Sequence, residues 1–187
     1  MSNIVQETAP RLDQKATTPG LHITVRLGTG SGPTHLAAFD AALQAAGVAD
    51  RNLLLLSSII PPGATVERTP EAQTCPGGWG DRLYVVMAEE RVERPHEEAW
   101  AGVGWRQDPE SGAGLFVEHH GHSEHQVEAD LLTSLQAISD GRPPRDWEPP
   151  QIAMTGVVCE TDPVCALAVA CFQSEPWRPE VIDLRDG

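Results

Sequence analysis

The spacing of apolar residues along the chain predicts a mixture of strands and helices. Apolar and polar positions alternate over residues 21–27, which predicts a half-buried strand that ends at Gly28. From Leu36 to Ala46 apolar residues recur every three or four positions, which predicts a helix capped by Thr34. The same spacing predicts a second helix from Ser123 to Ser139.

Short apolar runs bounded by glycine and proline predict the other strands. The run at residues 52–58 stops at Pro61, and its continuous apolar character favours a strand buried on both faces. Four prolines between residues 142 and 150 predict a loop. This order of elements favours a single-domain α+β fold, built in layers with a mostly antiparallel sheet. The remaining predicted strands lie at 82–89, 101–106, 114–120, 152–159 and 164–172.

Length and charge exclude several classes of protein. A chain of 187 residues suits one compact domain, and the unpatterned residues 1–20 predict a flexible arm before a domain at 21–187. Thirteen basic residues against 27 acidic ones give a net charge of −14, which argues against nucleic-acid binding because the chain would repel phosphates. No apolar run is long enough to span a membrane, and the N-terminus lacks the pattern of a signal peptide. We therefore expect a cytoplasmic protein with reduced cysteines.

A glycine-rich segment, residues 28–34, separates the first predicted strand from the first predicted helix. Backbone amides at the start of a helix could cradle a phosphate. However, Gly32 comes one position too early for the dinucleotide-binding fingerprint, and no Walker lysine follows. We therefore expect a tight turn that allows two chain segments to approach closely.

Histidines are concentrated between Glu118 and His125. On a strand, residues 118, 120 and 122 would share one face, which is a reasonable arrangement for metal ligands. The alternative is a solvated strand end that leads into a helix. We favour this alternative, so no metal is predicted.

Two adjacent serines, Ser57 and Ser58, close the apolar run that begins at Asn52. Hydroxyl groups at the end of a buried strand need hydrogen-bond partners or a chemical role. The Gly-x-Ser-x-Gly pattern of an esterase nucleophile is absent, so that chemistry is not expected.

Three segments, in order, resemble the family of pyruvoyl-dependent arginine decarboxylases. They are the glycine segment with its helix, residues 28–43; the strand with the serine pair, Asn52-Leu-Leu-Leu-Leu-Ser-Ser-Ile-Ile-Pro-Pro62; and Gly114-Leu-Phe-Val-Glu118. The resemblance covers about residues 21–173. It implies an αββα sandwich of two sheets between helices, and assembly as a homotrimer or hexamer with active sites between subunits.

The resemblance implies that the enzyme makes its own cofactor, a covalent pyruvoyl group. The Ser58 hydroxyl would attack the carbonyl carbon of Ser57, and cleavage would leave two chains, 1–57 and 58–187, with the pyruvoyl group derived from Ser58. Asn52 matches an asparagine near the processing site and is expected to assist cleavage or orient the intermediate. Such chemistry needs a strained or tightly held peptide.

In turnover, the resemblance implies a Schiff base between the pyruvoyl ketone and L-arginine, followed by loss of CO2 to give agmatine. Glu118 matches the glutamate that returns a proton to the α-carbon. Asp40 matches the aspartate that receives the guanidinium group, and it stands within an otherwise apolar stretch of helix. Ser57 is expected to contact the substrate as well.

Three other interpretations remain open from the sequence. The same machinery could act on another amino acid, because the histidines after Glu118 and the histidine at position 35 are unusual. The chain could also be a binding relative that never cleaves itself. A metal-dependent protein built on the histidines is the third alternative.

Overall fold

The computed structural model describes residues 20–69, 74–143 and 145–177. The predicted arm, except Gly20, and the residues after Trp177 lie outside this part. Both predicted helices are confirmed, within one residue of their expected ends. The elements are β1 (His22–Ser31), α1 (His35–Ala45), β2 (Asn52–Leu55), β3 (Ile59–Ile60), β4 (Thr65–Arg68), β5 (Arg82–Val92), β6 (Glu98–Gln107), β7 (Gly114–Gly121), α2 (Glu124–Asp140), β8 (Gln151–Val158) and β9 (Val164–Glu175).

Two sheets face each other, and each is covered on its outer side by one helix. The five-stranded sheet has the order β2-β5-β9-β1-β4, and the four-stranded sheet has the order β3-β7-β6-β8. Every neighbouring pair is antiparallel except β1 with β4 and β2 with β5, which are parallel. The α+β sandwich with mostly antiparallel sheets is therefore confirmed.

Three apolar clusters hold the layers together. The largest lies between the sheets and includes the aromatic side chains of Trp105, Phe116 and Phe172. The Phe116 ring contacts both of the other rings at an angle. A second cluster packs α1 on the five-stranded sheet, and a third packs α2 on the four-stranded sheet. None of the helices in the described residues is long and apolar enough to cross a membrane.

The glycine segment is not the turn that we expected, because β1 continues through Gly28 and Gly30 to Ser31. Helix α1 crosses directly over these two glycines. A methyl group on Gly30 would lie 2.5 Å from the carbonyl oxygen of Ala38, so the close approach that we expected is real. The predicted cap of α1 is confirmed, since the Thr34 hydroxyl accepts a hydrogen bond from the Ala37 amide at 3.1 Å.

The apolar run at residues 52–58 does not form a strand buried on both faces. It forms the short edge strand β2, and the leucines at its end are exposed: Leu55 keeps 69% of its surface and Leu56 keeps 36%. The chain then leaves the five-stranded sheet and enters the four-stranded sheet at β3. The serine pair lies in the segment that connects β2 of one sheet with β3 of the other, and it is not part of a strand.

Candidate active site

Ser58 lies at a strained point of the backbone, just before β3. Its φ is +63°, one of three positive values among the non-glycine residues that the structure describes. A side chain in this region costs roughly 1–3 kcal/mol and persists only where its surroundings hold it there. The surroundings do so, because the Phe116 amide donates a hydrogen bond to the Ser58 carbonyl oxygen at 2.8 Å. The backbone at Ser58 is therefore strained and is fixed on its C-terminal side, where the chain enters β3.

The Ser58 hydroxyl lies against the carboxylate of Glu118. The distances from Ser58 Oγ to the two carboxylate oxygens are 2.8 Å and 2.9 Å. Antiparallel pairing of β3 with β7 creates this contact: Ile59 lies opposite Leu115, so Ser58 lies beside the strand that carries Glu118. Residues 60 positions apart in sequence thus meet at one sheet edge.

The side chains of β7 are buried up to Val117 and become partly exposed at Glu118. The preceding residues Leu115, Phe116 and Val117 are buried, whereas Glu118 is only half-buried. The residues before Glu118 therefore give it an apolar setting. The carboxylate itself lies at the border between this apolar floor and solvent.

A shallow open depression of about 290 Å³ surrounds the serine–glutamate pair. One wall comes from helix α2, which contributes Ser134 and Ile138. His119 lines the same depression, and its Nε2 lies 2.7 Å from the Ser134 hydroxyl. Neither His119 nor Ser134 was predicted at this site, because the histidines after Glu118 were considered only as a group of potential metal ligands. The available signal was the alternation along β7, which turns residue 119 toward the helix.

Asn52 and Asp40 do not join this pair within one protomer. Asn52 begins β2, and its side-chain amide donates to the Gly80 carbonyl oxygen at 2.7 Å. Asp40 accepts a hydrogen bond from the Gln44 side chain at 2.6 Å. Asp40 is exposed, which corrects our view that it belongs to the apolar face of the helix.

The separation of Asp40 from Ser58 follows from the layers. Helix α1 covers the outer side of the five-stranded sheet, whereas the depression at Ser58 adjoins α2 on the four-stranded sheet. The roles predicted for Asp40 and Asn52 remain predictions.

The histidines after Glu118 are divided between different partners. His120 Nδ1 lies 2.6 Å from Glu90 Oε2, and His122 Nε2 lies 3.9 Å from Glu90 Oε1. His119 turns to Ser134 on the other side of the strand. Among residues 20–69, 74–143 and 145–177, no group of three or more potential ligands has a geometry that could hold a metal ion.

The arrangement at Ser58 can perform acid–base chemistry on the chain itself. A carboxylate in contact with a hydroxyl can accept its proton, which turns the serine oxygen into a nucleophile. A strained serine–serine peptide with such a partner is what an enzyme needs to build a cofactor from its own backbone. The fold and the site together are therefore consistent with the class of enzymes that build a cofactor from their own backbone.

Comparison with known proteins identifies the family. The family model described as pyruvoyl-dependent arginine decarboxylase (PvlArgDC) matches residues 22–176. The pyruvoyl-dependent arginine decarboxylase of Halobacterium salinarum strain R1 is 39% identical over 127 residues, 67% of this chain and 76% of its own length. The Thermoplasma volcanium protein of the same name is 28% identical over 166 residues, 82% of this chain and 88% of its own length.

The chain belongs to the pyruvoyl-dependent arginine decarboxylase family. The resemblance noted in the sequence is thereby confirmed. With it, the class of enzyme is confirmed as a decarboxylase of arginine that depends on a covalent pyruvoyl group. The site fits such a group, because Ser58, its expected source, already has its hydroxyl on Glu118 and its carbonyl fixed by the Phe116 amide.

Proposed function

We propose that this chain cleaves itself between Ser57 and Ser58 and then decarboxylates L-arginine to agmatine and CO2. The observation that carries the proposal is the contact of the Ser58 hydroxyl with both oxygens of Glu118, at a residue whose φ is +63°. The contact supplies a base for the nucleophile. The backbone strain favours any reaction that releases the Ser57–Ser58 peptide.

Cleavage requires one proton acceptor and one nucleophile. As Ser58 Oγ attacks the carbonyl carbon of Ser57, Glu118 accepts the hydroxyl proton, and the peptide nitrogen takes up a proton as its bond to that carbon breaks. The resulting ester joins Ser57 to the side chain of Ser58. Removal of the Ser58 α-proton then expels the Ser57 carboxylate. Hydrolysis of the remaining enamine consumes water and releases ammonia.

In turnover, the pyruvoyl group supplies a ketone that binds the substrate amine and accepts the electrons of the departing carboxylate. The protein must then return a proton to the α-carbon. Glu118 is the acid for this step, since it already lies beside the cofactor position. His119 and Ser134, which hydrogen-bond to each other at 2.7 Å, form the polar part of the wall around the substrate.

We propose further that the active site is completed by a second copy of the chain, in a homotrimer or hexamer. Apolar side chains flank the serine pair and remain exposed in one protomer: Leu55 keeps 69% of its surface and Ile59 keeps 50%. Asp40 lies in another layer of the same protomer, so a neighbouring copy must bring its carboxylate to the arginine guanidinium. The same copy could bring Asn52 to the processing site.

The cytoplasmic setting expected from the sequence also remains a proposal. Its support is the state of the four cysteines, which are all free in the structure. Free thiols persist most readily in a reducing compartment.

The first experiment is the intact mass of the purified protein under denaturing conditions. We expect two chains, 1–57 and 58–187, with the larger one lacking an N-terminal amine. The Ser58→Ala variant should remain a single chain and should release no CO2 from arginine. A wild-type chain that stays whole, or a Ser58→Ala chain that cleaves, would contradict self-processing.

A hybrid experiment tests the shared site. Ser58→Ala and Asp40→Ala protomers are each expected to be inactive on arginine, and Asp40→Ala should still cleave. Co-expressed, the two variants form mixed oligomers in which an intact Asp40 meets a processed Ser58, so part of the activity should return. Absence of rescue in mixed oligomers verified by mass would place Asp40 outside the neighbour's active site.

A further inference from the structure

A pair of cysteines lies away from the decarboxylase site, on the outer face of the five-stranded sheet. Cys171 belongs to β9, and Cys75 belongs to a loop that packs over this sheet beyond the end of α1. Both thiols are free, both belong to the same buried apolar cluster, and both line one cavity. The proposed catalytic machinery uses neither of them.

The loop position of Cys75 is fixed by backbone contacts. Its amide donates to the Gly47 carbonyl oxygen at 2.8 Å, and its carbonyl oxygen accepts from the Arg51 guanidinium. Arg51 also donates to the Gly77 carbonyl oxygen at 3.0 Å, so one arginine holds both sides of the loop. These contacts keep the Cys75 thiol over Cys171.

The surroundings of this pair are positively charged. Buried Arg26 on β1 and Arg51 both act on Cys75. The hydrogen bond from Cys171, followed by these two cations, lowers the pKa of the Cys75 thiol to about 6 despite its burial. The same hydrogen bond and burial raise the pKa of Cys171 well above its usual value. Both shifts make Cys75 the thiol of the pair that ionises more readily.

A cavity of about 270 Å³ connects the pair to the surface. Cys75 and Cys171 line its floor, and the exposed side chains of His22 and Gln173 line its rim. Only 5% of the Cys75 surface and 3% of the Cys171 surface is exposed, so access runs through this cavity. Its size admits hydrogen peroxide or a small alkylating reagent.

We propose that Cys75 is a modification site that reacts with peroxides and small electrophiles, and that Cys171 captures the oxidised form as a disulfide. The Cys75 sulfur attacks one oxygen of the peroxide, the O–O bond breaks, and the second oxygen leaves as hydroxide. The Cys171 sulfur then attacks Cys75 sulfur, the S–S bond forms, and the S–O bond breaks with release of water. Sulfur is oxidised by two electrons, and the peroxide is reduced.

The other two cysteines provide internal controls. Burial, together with the nearby Glu89, raises the pKa of Cys165 to about 12. Burial also raises the pKa of Cys159, whose thiol donates to the Asp162 carbonyl oxygen at 3.3 Å. Neither has a cysteine partner among the contacts that the structure describes, so both should react slowly with the same reagents.

The experiment treats reduced, full-length protein with hydrogen peroxide, blocks the remaining thiols with N-ethylmaleimide in denaturant, and maps the peptides by mass. We expect a cross-linked pair of peptides containing Cys75 and Cys171, reversed by dithiothreitol. Iodoacetamide should alkylate Cys75 at least tenfold faster than Cys165 at pH 7, with half-maximal rate near pH 6.

Two variants sharpen the test. Cys171→Ser should trap the sulfenic acid of Cys75 as a dimedone adduct, and Cys165→Ser should form the disulfide as the wild type does. Oxidation of Cys159 or Cys165 as fast as Cys75, or a wild-type protein without the cross-linked peptides, would overturn the proposal. The wild-type measurement decides even where a variant fails to fold.

Discussion

Replacing Glu118 by glutamine tests the two roles proposed for its carboxylate, in cleavage and in turnover. Glutamine keeps the shape of the side chain and one acceptor oxygen but loses the charge. In the wild type, Ser58 Oγ lies 2.8 Å and 2.9 Å from the carboxylate oxygens. Glu118→Gln leaves one acceptor oxygen beside the hydroxyl. Glutamine cannot accept the hydroxyl proton, so cleavage loses its general base and should slow by roughly 10²–10⁴-fold. Because each chain cleaves only once, long incubation should still yield cleaved protein.

Decarboxylation by the cleaved protein should lose its general acid through the same substitution. An amide cannot return a proton to the α-carbon, and loss of a general acid costs about 10²–10⁴-fold in rate. The cleaved Glu118→Gln protein should therefore release CO2 from carboxyl-labelled arginine at most at one hundredth of the wild-type rate. Glu118→Leu, which also removes the hydrogen bond to the Ser58 hydroxyl, should slow cleavage further or stop it.

The assay normalises CO2 release to the cleaved fraction, measured by denaturing intact mass in the same samples. Two results would contradict the roles proposed for Glu118. Cleaved Glu118→Gln with wild-type activity would show that another group returns the proton. Normal cleavage in Glu118→Leu would show that the carboxylate does not activate Ser58.

Three further predictions follow from other contacts. In the uncleaved Ser58→Ala background, Gly30→Ala should lower the free energy of unfolding by about 1–3 kcal/mol in urea, whereas the control Gly141→Ala, with its nearest neighbour at 3.6 Å, should change it far less. Leu55→Glu should lower the oligomer mass in light scattering without unfolding the protomer, since Leu55 is 69% exposed. Hydrogen bonds from Ser111 lower the pKa of the Asp108 carboxyl. Asp108→Asn should therefore lower the Tm above about pH 4, and this difference from the wild type should vanish as the pH falls through the lowered pKa. A difference in Tm that persists in acid would contradict this.

Local pattern was sufficient to predict both helices and most strands. The spacing of Val127, Leu131 and Leu135 marks the face of α2 that is buried on the four-stranded sheet. The prediction from hydrophobicity was wrong at β2, where a continuous apolar run indicated a strand buried on both faces. Those leucines lie at a sheet edge, and an edge cannot be distinguished from a centre by composition alone.

The active-site contact could be predicted only through the family resemblance. Ser58 and Glu118 meet because β3 pairs with β7 in a particular register, and no local signal specifies a pairing across 60 residues. The glycine segment is a related case. Glycine was interpreted as a turn signal, whereas Gly28 and Gly30 are in a strand, where they make room for the backbone of α1. Tertiary contact decided what those residues do.

The position of β1 determines what the proposed cleavage does to the assembled protein. Strand β1 belongs to the chain 1–57, yet it is hydrogen-bonded between β9 and β4, which both belong to the chain 58–187. The two cleavage products would thus share one sheet, and neither could dissociate without breaking the hydrogen bonds between their strands. Cleavage also converts a single-chain protein into a two-chain complex. Recovery from denaturation then requires a second-order association of the two chains, whose yield depends on protein concentration. The uncleaved Ser58→Ala protomer would instead fold by first-order kinetics before it assembles.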